Sequence, residues 1–239
     1  MASAIEFTCG YLLRTGGFGT DYIGMNNITG EFIAVREIKK LEDGQLEDLR
    51  SSLDIMQAKT LRHQNLITHL GYTHRDSAFF ILSEYVLGHR TISCRVLQYR
   101  SFEESIIRSF TSQIVQGLEH LQSEGVVHNN LNSSNIFVGY DGVVKIADFG
   151  TPHVADNSQF THTFQSPEVA SHSNESYDNK GNVWSLGVIV LEMVMGQLPS
   201  ENDIKIMSEE PGNNVRIPED GDIEIFPDCE NFVRACLAT

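Results

Sequence analysis

The chain has 239 residues, 41% of them hydrophobic, and a formal net charge of -15. This length and apolar content suffice for one large domain or two closely joined lobes. Acidic residues are spread along the sequence, which disfavours nucleic acid or an anionic membrane as a partner, because both require clustered Lys and Arg. The four cysteines lack metal-ligand spacing and disulfide-scaffold density, which predicts reduced thiols in a cytoplasmic protein. No signal peptide or membrane-spanning segment is predicted.

The N-terminal part is predicted to be a small sheet with one helix. Weak alternation over 7–13 leads into a glycine-rich turn at 16–19, and β-branched residues predict a strand over 32–38. These glycines suit either an ordinary hairpin or a lid whose backbone N–H groups approach phosphates. The helix is indicated by apolar residues at helical spacing, namely Leu46, Leu49, Leu53 and Met56.

The rest of the chain is predicted to be mainly helical. A buried strand over 79–87 runs into a turn, and a helix over 102–122 follows. Its buried face is formed by apolar residues with a 3.6-residue period, namely Ile106, Ile107, Phe110, Ile114, Leu118 and Leu121. A second buried helix is predicted over 181–193, where Trp184 is expected to be a core residue.

The most informative stretch is His128-Asn129-Asn130-Leu131-Asn132-Ser133-Ser134-Asn135, followed by Asp148-Phe149-Gly150. It resembles the catalytic loop and metal-binding turn of a eukaryotic protein kinase, whose patterns are H-R-D-L-x-x-x-N and D-F-G. The arginine and the aspartate of the first pattern are replaced by Asn129 and Asn130. The chain therefore contains the scaffold of a phosphotransfer site without its base.

The resemblance covers nearly the whole chain and implies an α+β, two-lobed protein-kinase-like fold. It implies one domain over 1–239, with a small antiparallel-sheet N-lobe of about 1–86 carrying one helix. A larger, mainly helical C-lobe of about 87–239 is expected to be C-terminally truncated. Segments such as 102–108 and 113–118 look most like the MAP kinase kinase kinase (STE) branch.

The resemblance also assigns site residues. A role in ATP binding falls to Gly16, Gly17, Gly19, Ala34, Arg36, Asp54, Glu84, Val86 and Phe137. Metal ligation falls to Asn135 and Asp148, while Asn130 stands at the position of the base and Asn132 at that of the catalytic-loop lysine. Arg36 replaces the phosphate-binding lysine. Asp54 suits either an ion pair with Arg36 or a role as an exposed acid on the helix.

Two departures affect the nucleotide directly. Arg14 replaces the first glycine of the glycine-rich loop, and Asp21 replaces the valine that covers the adenine ring. A carboxylate is unfavourable against an apolar base and a polyphosphate, so binding of ATP and Mg²⁺ is predicted to be weak or absent. At the base position, the amide of Asn130 cannot accept a proton at neutral pH.

These departures together predict a pseudokinase, an allosteric or scaffolding module whose partners are other signalling kinases or a scaffold protein. The first alternative is a divergent but active Ser/Thr kinase that uses Arg36, Asn135 and Asp148, with a water molecule as proton acceptor. The second is a switch that binds ATP without transferring phosphate.

Overall fold

The computed structural model describes residues 5–16, 19–38, 43–59, 61–75, 78–150, 163–167, 179–209 and 225–238. In these residues an antiparallel sheet with one packed helix is followed by a mainly helical part, so the predicted fold class is confirmed. No helix within the described ranges is long and apolar enough to cross a membrane.

The first part contains a five-stranded sheet in the order β1-β2-β3-β5-β4. Its elements are β1 (Phe7–Gly16), β2 (Gly19–Asn26), β3 (Phe32–Ile38), α1 (Asp43–Lys59), β4 (His69–Arg75) and β5 (Ala78–Glu84). The predicted apolar face of α1 is buried through Leu49, Leu53 and Met56. This face packs in the same core as Ile38 and Phe79 of the sheet.

The second part contains three short strands and five helices among the described residues. They are β6 (Arg90–Thr91), α2 (Ile92–Tyr99), α3 (Glu104–Ser123), β7 (Ile136–Val138), β8 (Val144–Ile146), α4 (Asn179–Met195), α5 (Glu201–Glu209) and α6 (Pro227–Leu237). Thr91 caps α2, because its hydroxyl oxygen accepts a hydrogen bond from Cys94 N at 3.3 Å. A single 3₁₀ turn over Ser133–Asn135 precedes β7.

The helix α4 forms the centre of the second part. Nearly all of its residues are buried, including Trp184 and Leu191, as expected for a helix that is apolar on all sides. It packs closely on α6: a Cβ atom at Gly187 would lie 2.7 Å from Cys236 Cβ. A glycine is therefore required where these two helices meet.

The loop over 61–68 is attached to the helical part although it directly follows α1. Asn65 Nδ2 donates to Val144 O at 2.9 Å, and Ile67 N donates to Ile146 O at 2.8 Å. Gly117 of α3 lies against this loop, since a Cβ atom there would be 3.1 Å from Asn65 O. This loop and the segment after β5 are the connections between the two parts that bound the cleft described next.

Candidate functional site: an ionic cluster in the cleft between the two parts

The cleft between the sheet and the helical part contains a cavity of about 70 Å³. Six of the residues assigned to ATP or metal binding line it, namely Ala34, Arg36, Glu84, Val86, Phe137 and Asp148. These predicted positions therefore lie along one groove, although the sequence did not indicate which side chains fill it.

Strand register brings three charged side chains together on the cleft face of the sheet. Arg14 of β1 is the cross-strand partner of Asp21 of β2, and Asp21 is in turn the partner of Arg36 of β3. Directly opposite residues in an antiparallel pair project from the same face, so the three side chains form a row. The irregularity in β1 between Leu12 and Arg14 sets this alignment.

These side chains form a continuous network, here called the ionic cluster: Arg14, Asp21, Arg36 and Asp148. Arg14 Nε lies 2.6 Å from Asp21 Oδ2, and Arg36 Nε lies 2.6 Å from Asp21 Oδ1. Arg36 Nη1 reaches Asp148 Oδ1 at 2.5 Å. The cluster thus connects the sheet to the metal-binding turn predicted at Asp148.

The cluster is largely removed from solvent, and Asp21 is only 5% exposed. Burial alone would raise the pKa of Asp21, but the guanidinium groups of Arg36 and Arg14 hold it well below its usual range. Burial would likewise lower the pKa of Arg36, and the carboxylates of Asp148 and Asp21 instead raise it. Each charge is therefore stabilised in the low-dielectric cleft by its neighbours.

Arg14 also contacts the helical part directly. Its Nη1 donates to Ser134 O at 2.9 Å, and its Cζ lies 5.4 Å from the centroid of the Phe137 ring. The imidazole of His89 approaches the same ring, with a centroid separation of 4.6 Å. Arg14 and His89 therefore contact the side chain of Phe137, to which a role in ATP binding was assigned.

His89 was not identified from the sequence. It follows Gly88 at the start of the helical part with a φ of 39°, and both of its ring nitrogens are buried without a hydrogen-bond partner in the described residues. Burial and, to a smaller extent, the Arg14 charge lower its pKa to about 4, so the ring is neutral. No residue pattern indicated this position. Arg14 and Asp21 could have been found as a pair, because two opposite charges replace two neutral residues on adjacent strands.

The loop over 128–135 is held by its asparagines. Asn132 Nδ2 donates to Asn130 O and to Asn130 Oδ1, each at 3.1 Å, and Asn135 Nδ2 donates to Asn130 O at 3.0 Å. The side chains at the predicted positions of base and lysine are therefore bonded to each other. Since neither carries a charge, the loop has amides at the positions where the family has a carboxylate base and a lysine ammonium group.

His128 and Phe149 pack beneath this loop with ring centroids 6.3 Å apart. Burial lowers the pKa of His128 to about 4, so it is a neutral core residue. Its Nδ1 accepts a hydrogen bond from Asn130 N at 3.3 Å. The shape of the loop is therefore maintained although its charged groups are absent.

Of the two roles considered for Asp54, the ion pair with Arg36 is not formed and the exposed helix acid is observed. Asp54 is exposed on α1 and accepts a hydrogen bond from Tyr72 Oη at 2.7 Å. Arg36 is directed instead to Asp21 and Asp148, because these carboxylates lie within the cleft and provide two bonding partners at 2.6 and 2.5 Å. Asp54 therefore has no contact with Arg36 through which it could contribute to the nucleotide site.

The role predicted for Glu84 concerns its backbone, and its side chain is bonded within the chain. Its Oε1 accepts from Lys145 Nζ at 2.8 Å and from Thr68 N at 2.7 Å. Gly16 ends β1 and Gly19 begins β2, so these two glycines bracket the predicted hairpin, while Gly17 lies outside the described residues. The cleft thus contains most of the predicted positions, with different partners from those expected.

Comparison with known proteins supports the resemblance. The family model of the protein kinase domain matches residues 8–239. The chain is 34% identical to the mitogen-activated protein kinase kinase kinase mkh1 of Cytospora mali, over 96% of this chain and 13% of that protein. It is 32% identical to MAP kinase kinase kinase mkh1 of Schizosaccharomyces pombe, over 95% of this chain and 22% of that protein.

A plant protein is similar to a comparable degree. The mitogen-activated protein kinase kinase kinase ANP1 of Arabidopsis thaliana is 32% identical over 86% of this chain and 33% of its own length. The chain therefore spans about a third or less of these relatives.

Proposed function

The chain belongs to the protein kinase family, and within that family we propose that it is a pseudokinase. Its function is that of an allosteric or scaffolding module in a MAP-kinase-type signalling cascade, with weak or absent ATP binding. The ionic cluster is the observation that carries this proposal, because it fills the positions that ATP and a metal ion need with the chain's own charges.

ATP with Mg²⁺ does not fit the residues present. Protein kinases use the carboxylate at the position of Asp148 to hold the metal ion, and here this carboxylate pairs with Arg36 at 2.5 Å. Arg14 and His89 contact the ring of Phe137, one of the residues assigned to ATP binding. The cavity of about 70 Å³ is also far below the roughly 300–1,000 Å³ of typical small-molecule sites.

The chemistry of transfer is missing as well. Asn130 has no basic group to accept the proton of a substrate hydroxyl, and this loss typically costs about 10²- to 10⁴-fold in rate, or roughly 3–5 kcal/mol of barrier. Asn132 supplies no positive charge for the transferring phosphoryl group. Both substitutions lower the rate of transfer even if nucleotide enters the cleft.

The relatives are named MAP kinase kinase kinases, and this supports a place in a signalling cascade. We propose that the partners are other signalling kinases or a scaffold protein in the cytoplasm. A domain with a closed, ligand-independent cleft can bind such partners through its surface without a catalytic cycle.

Thermal unfolding with and without millimolar MgATP tests the proposal, because a ligand that binds the folded state raises the midpoint. The wild-type chain is expected to show no nucleotide-dependent shift. The double variant Arg14→Gly, Asp21→Val removes one positive and one negative group from the cleft and is expected to gain a shift. The control Arg62→Gly, Glu119→Val makes the same net change in charge at exposed positions. A magnesium-dependent shift of the wild-type chain would contradict the proposal.

A divergent, active Ser/Thr kinase is the alternative. It is favoured by one observation: Asn135 Nδ2 still donates to Asn130 O at 3.0 Å, which keeps the loop in shape beside Asp148. A radiolabelled phosphotransfer assay separates the two functions, with Asp148→Ala as the control. Transfer that disappears in the Asp148→Ala chain would establish the alternative, and a nucleotide-dependent thermal shift without transfer would instead indicate an ATP-binding switch.

A further inference from the structure

The segment over 85–102, which leads from the sheet into α2, differs in charge from the rest of the chain. It contains the arginines Arg90, Arg95 and Arg100 and no Asp or Glu, although 32 acidic residues are spread along the chain. Arg90 and Arg100 are exposed. None of these arginines forms an ion pair with a described residue, so their charges are not neutralised within the described part of the chain.

Two of these arginines lie at the end of β7. Arg90 is the cross-strand partner of Val138, and Arg95 Nη2 donates to Val138 O at 3.2 Å. This hydrogen bond holds the Arg95 side chain against the strand, while its Nε is buried without a partner among the described residues. The end of β7 therefore has two positive charges beside the turn over 139–143, which connects β7 to β8.

Large side chains are exposed at the same place. Tyr140, in this turn, is 75% exposed, and its ring lies over Gly88, where a Cβ atom would be 3.0 Å from Tyr140 Cζ. Leu87, beside Gly88, is exposed as well. Tyr99 is exposed one helical turn after Arg95, so these two side chains share one side of α2. Apolar groups and positive charges are thus neighbours here.

These positions are here called the basic-apolar surface: Leu87, Arg90, Arg95, Tyr99 and Tyr140. The acidic residue next to it in sequence, Asp141, accepts a hydrogen bond from Val143 N at 3.1 Å within the turn. At physiological ionic strength, exposed charges more than about 8 Å apart are largely screened from each other. A segment bound at this surface therefore interacts more strongly with the nearby arginines than with the net charge of -15 of the whole chain.

We propose that the basic-apolar surface binds a short segment of a partner protein that combines acidic and aliphatic side chains. Carboxylates of this segment pair with the guanidinium groups of Arg90 and Arg95, which suit them in geometry and charge. Its aliphatic side chains pack on Tyr140 and Leu87, since exposed aromatic residues are frequent anchors at interfaces. Nucleic acid fits less well, because its phosphates require a denser cluster of basic residues.

This partner chemistry gives the scaffolding module proposed above a place to bind, and in that respect it rests on the proposed function. The surface lies outside the ionic cluster, however, and its binding is measured without nucleotide. A failure at this surface would therefore leave the thermal-shift test of the cleft unaffected.

Fluorescence anisotropy with a labelled peptide of Glu-Glu-Leu-Leu repeats tests the proposal. The wild-type chain is expected to bind this peptide, and to bind peptides of Lys-Lys-Leu-Leu or Glu-Glu-Ser-Ser repeats at least about tenfold more weakly, because each lacks one half of the chemistry. Arg90→Glu should weaken binding about fivefold, since it replaces an exposed attraction by a repulsion. Tyr140→Ala should weaken binding by about fivefold or more.

Matched controls make the same changes at exposed positions outside the basic-apolar surface, namely Arg62→Glu after α1 and Tyr11→Ala on β1, and should bind as wild type. Absence of binding to the Glu-Glu-Leu-Leu peptide, or equal weakening by the control variants, would overturn the proposal. Equally tight binding of a single-stranded DNA oligonucleotide would also overturn it. So would self-association of the chain in sedimentation that is lost in Arg90→Glu, because a second copy would then occupy the surface.

Discussion

The apolar core around α4 and the cleft are both buried, yet they are stabilised by different forces. Around Leu191 the contacts are apolar, and each side chain contributes roughly in proportion to the surface it removes from water. In the cleft, Asp21 and Arg36 are stable only because each has the other and a further partner. In the apolar core, truncation of one side chain lowers stability only by the contribution of that side chain. Loss of one member of the ionic cluster, in contrast, leaves an uncompensated charge.

Removal of the central cation should have the largest effect. Arg36→Met leaves Asp21 and Asp148 without their shared guanidinium, and removal of one partner from a buried pair typically costs about 3–5 kcal/mol. Urea denaturation measures this change in the free energy of unfolding. Arg108→Met, which removes an exposed ion pair on α3, is the control and should produce no measurable change.

A double variant tests whether the unpaired charge at Asp21 causes this loss of stability. Arg36→Met combined with Asp21→Val removes the orphaned charge at Asp21 and should recover part of the lost stability, as apolar replacements of buried ion pairs do. Equal stability of the Arg36→Met and Arg108→Met chains would show that the cluster is not an energetic unit.

Truncation in the apolar core gives the matching measurement for the other region. Leu191→Ala removes a fully buried side chain and should cost about 2–5 kcal/mol, according to how far the surroundings collapse. Leu97→Ala is the control, because Leu97 is 79% exposed, and its change should stay within about 0.5 kcal/mol. A small loss at Leu191, similar to that at Leu97, would contradict the assignment of α4 as the core of the helical part.

Acid should weaken the cleft before it weakens the apolar core. The Arg36 and Arg14 charges hold the pKa of Asp21 below its ordinary value of 3.8. The Asp21 carboxylate therefore stabilises the folded state above about pH 4, and this contribution is lost as the pH falls below that value. Unfolding free energies measured from neutral to acidic pH should therefore decrease less steeply in Asp21→Asn than in wild type. Parallel curves for the two chains would show that Asp21 is not stabilised in this way.

The smallest effect is expected at a helix end outside both regions. Thr91→Val keeps the shape of the buried side chain and removes the hydroxyl that accepts from Cys94 N, which should cost about 1 kcal/mol. Thr91→Ser retains the cap and is the control. If thermal unfolding shows the Val chain to be as stable as the Ser chain, the cap contributes nothing.

The comparison also explains what could be predicted from the sequence. The buried faces of α1 and α4 were predictable, because apolar spacing within one segment carries that information. The loop over 128–135 was found because its residues are contiguous. The ionic cluster was not predicted, because it depends on strand register: Arg14 meets Asp21 only through an irregularity in β1. The role of Asp54 was left open between two alternatives for the same reason. Spacing along the chain gives its position but does not show that Asp21 and Asp148 compete for Arg36.

The attachment of Asn65 and Ile67 to β8 has a mechanical consequence. The segment after α1 is bonded to the helical part through Asn65 Nδ2 to Val144 O at 2.9 Å and Ile67 N to Ile146 O at 2.8 Å. While these bonds are kept, the segment cannot move together with the sheet. A displacement of the sheet relative to the helical part that keeps these bonds leaves Asn65 and Ile67 in place on β8. The segment over 61–68 therefore follows the sheet's helix α1 in sequence, but by its hydrogen bonds it is part of the helical part.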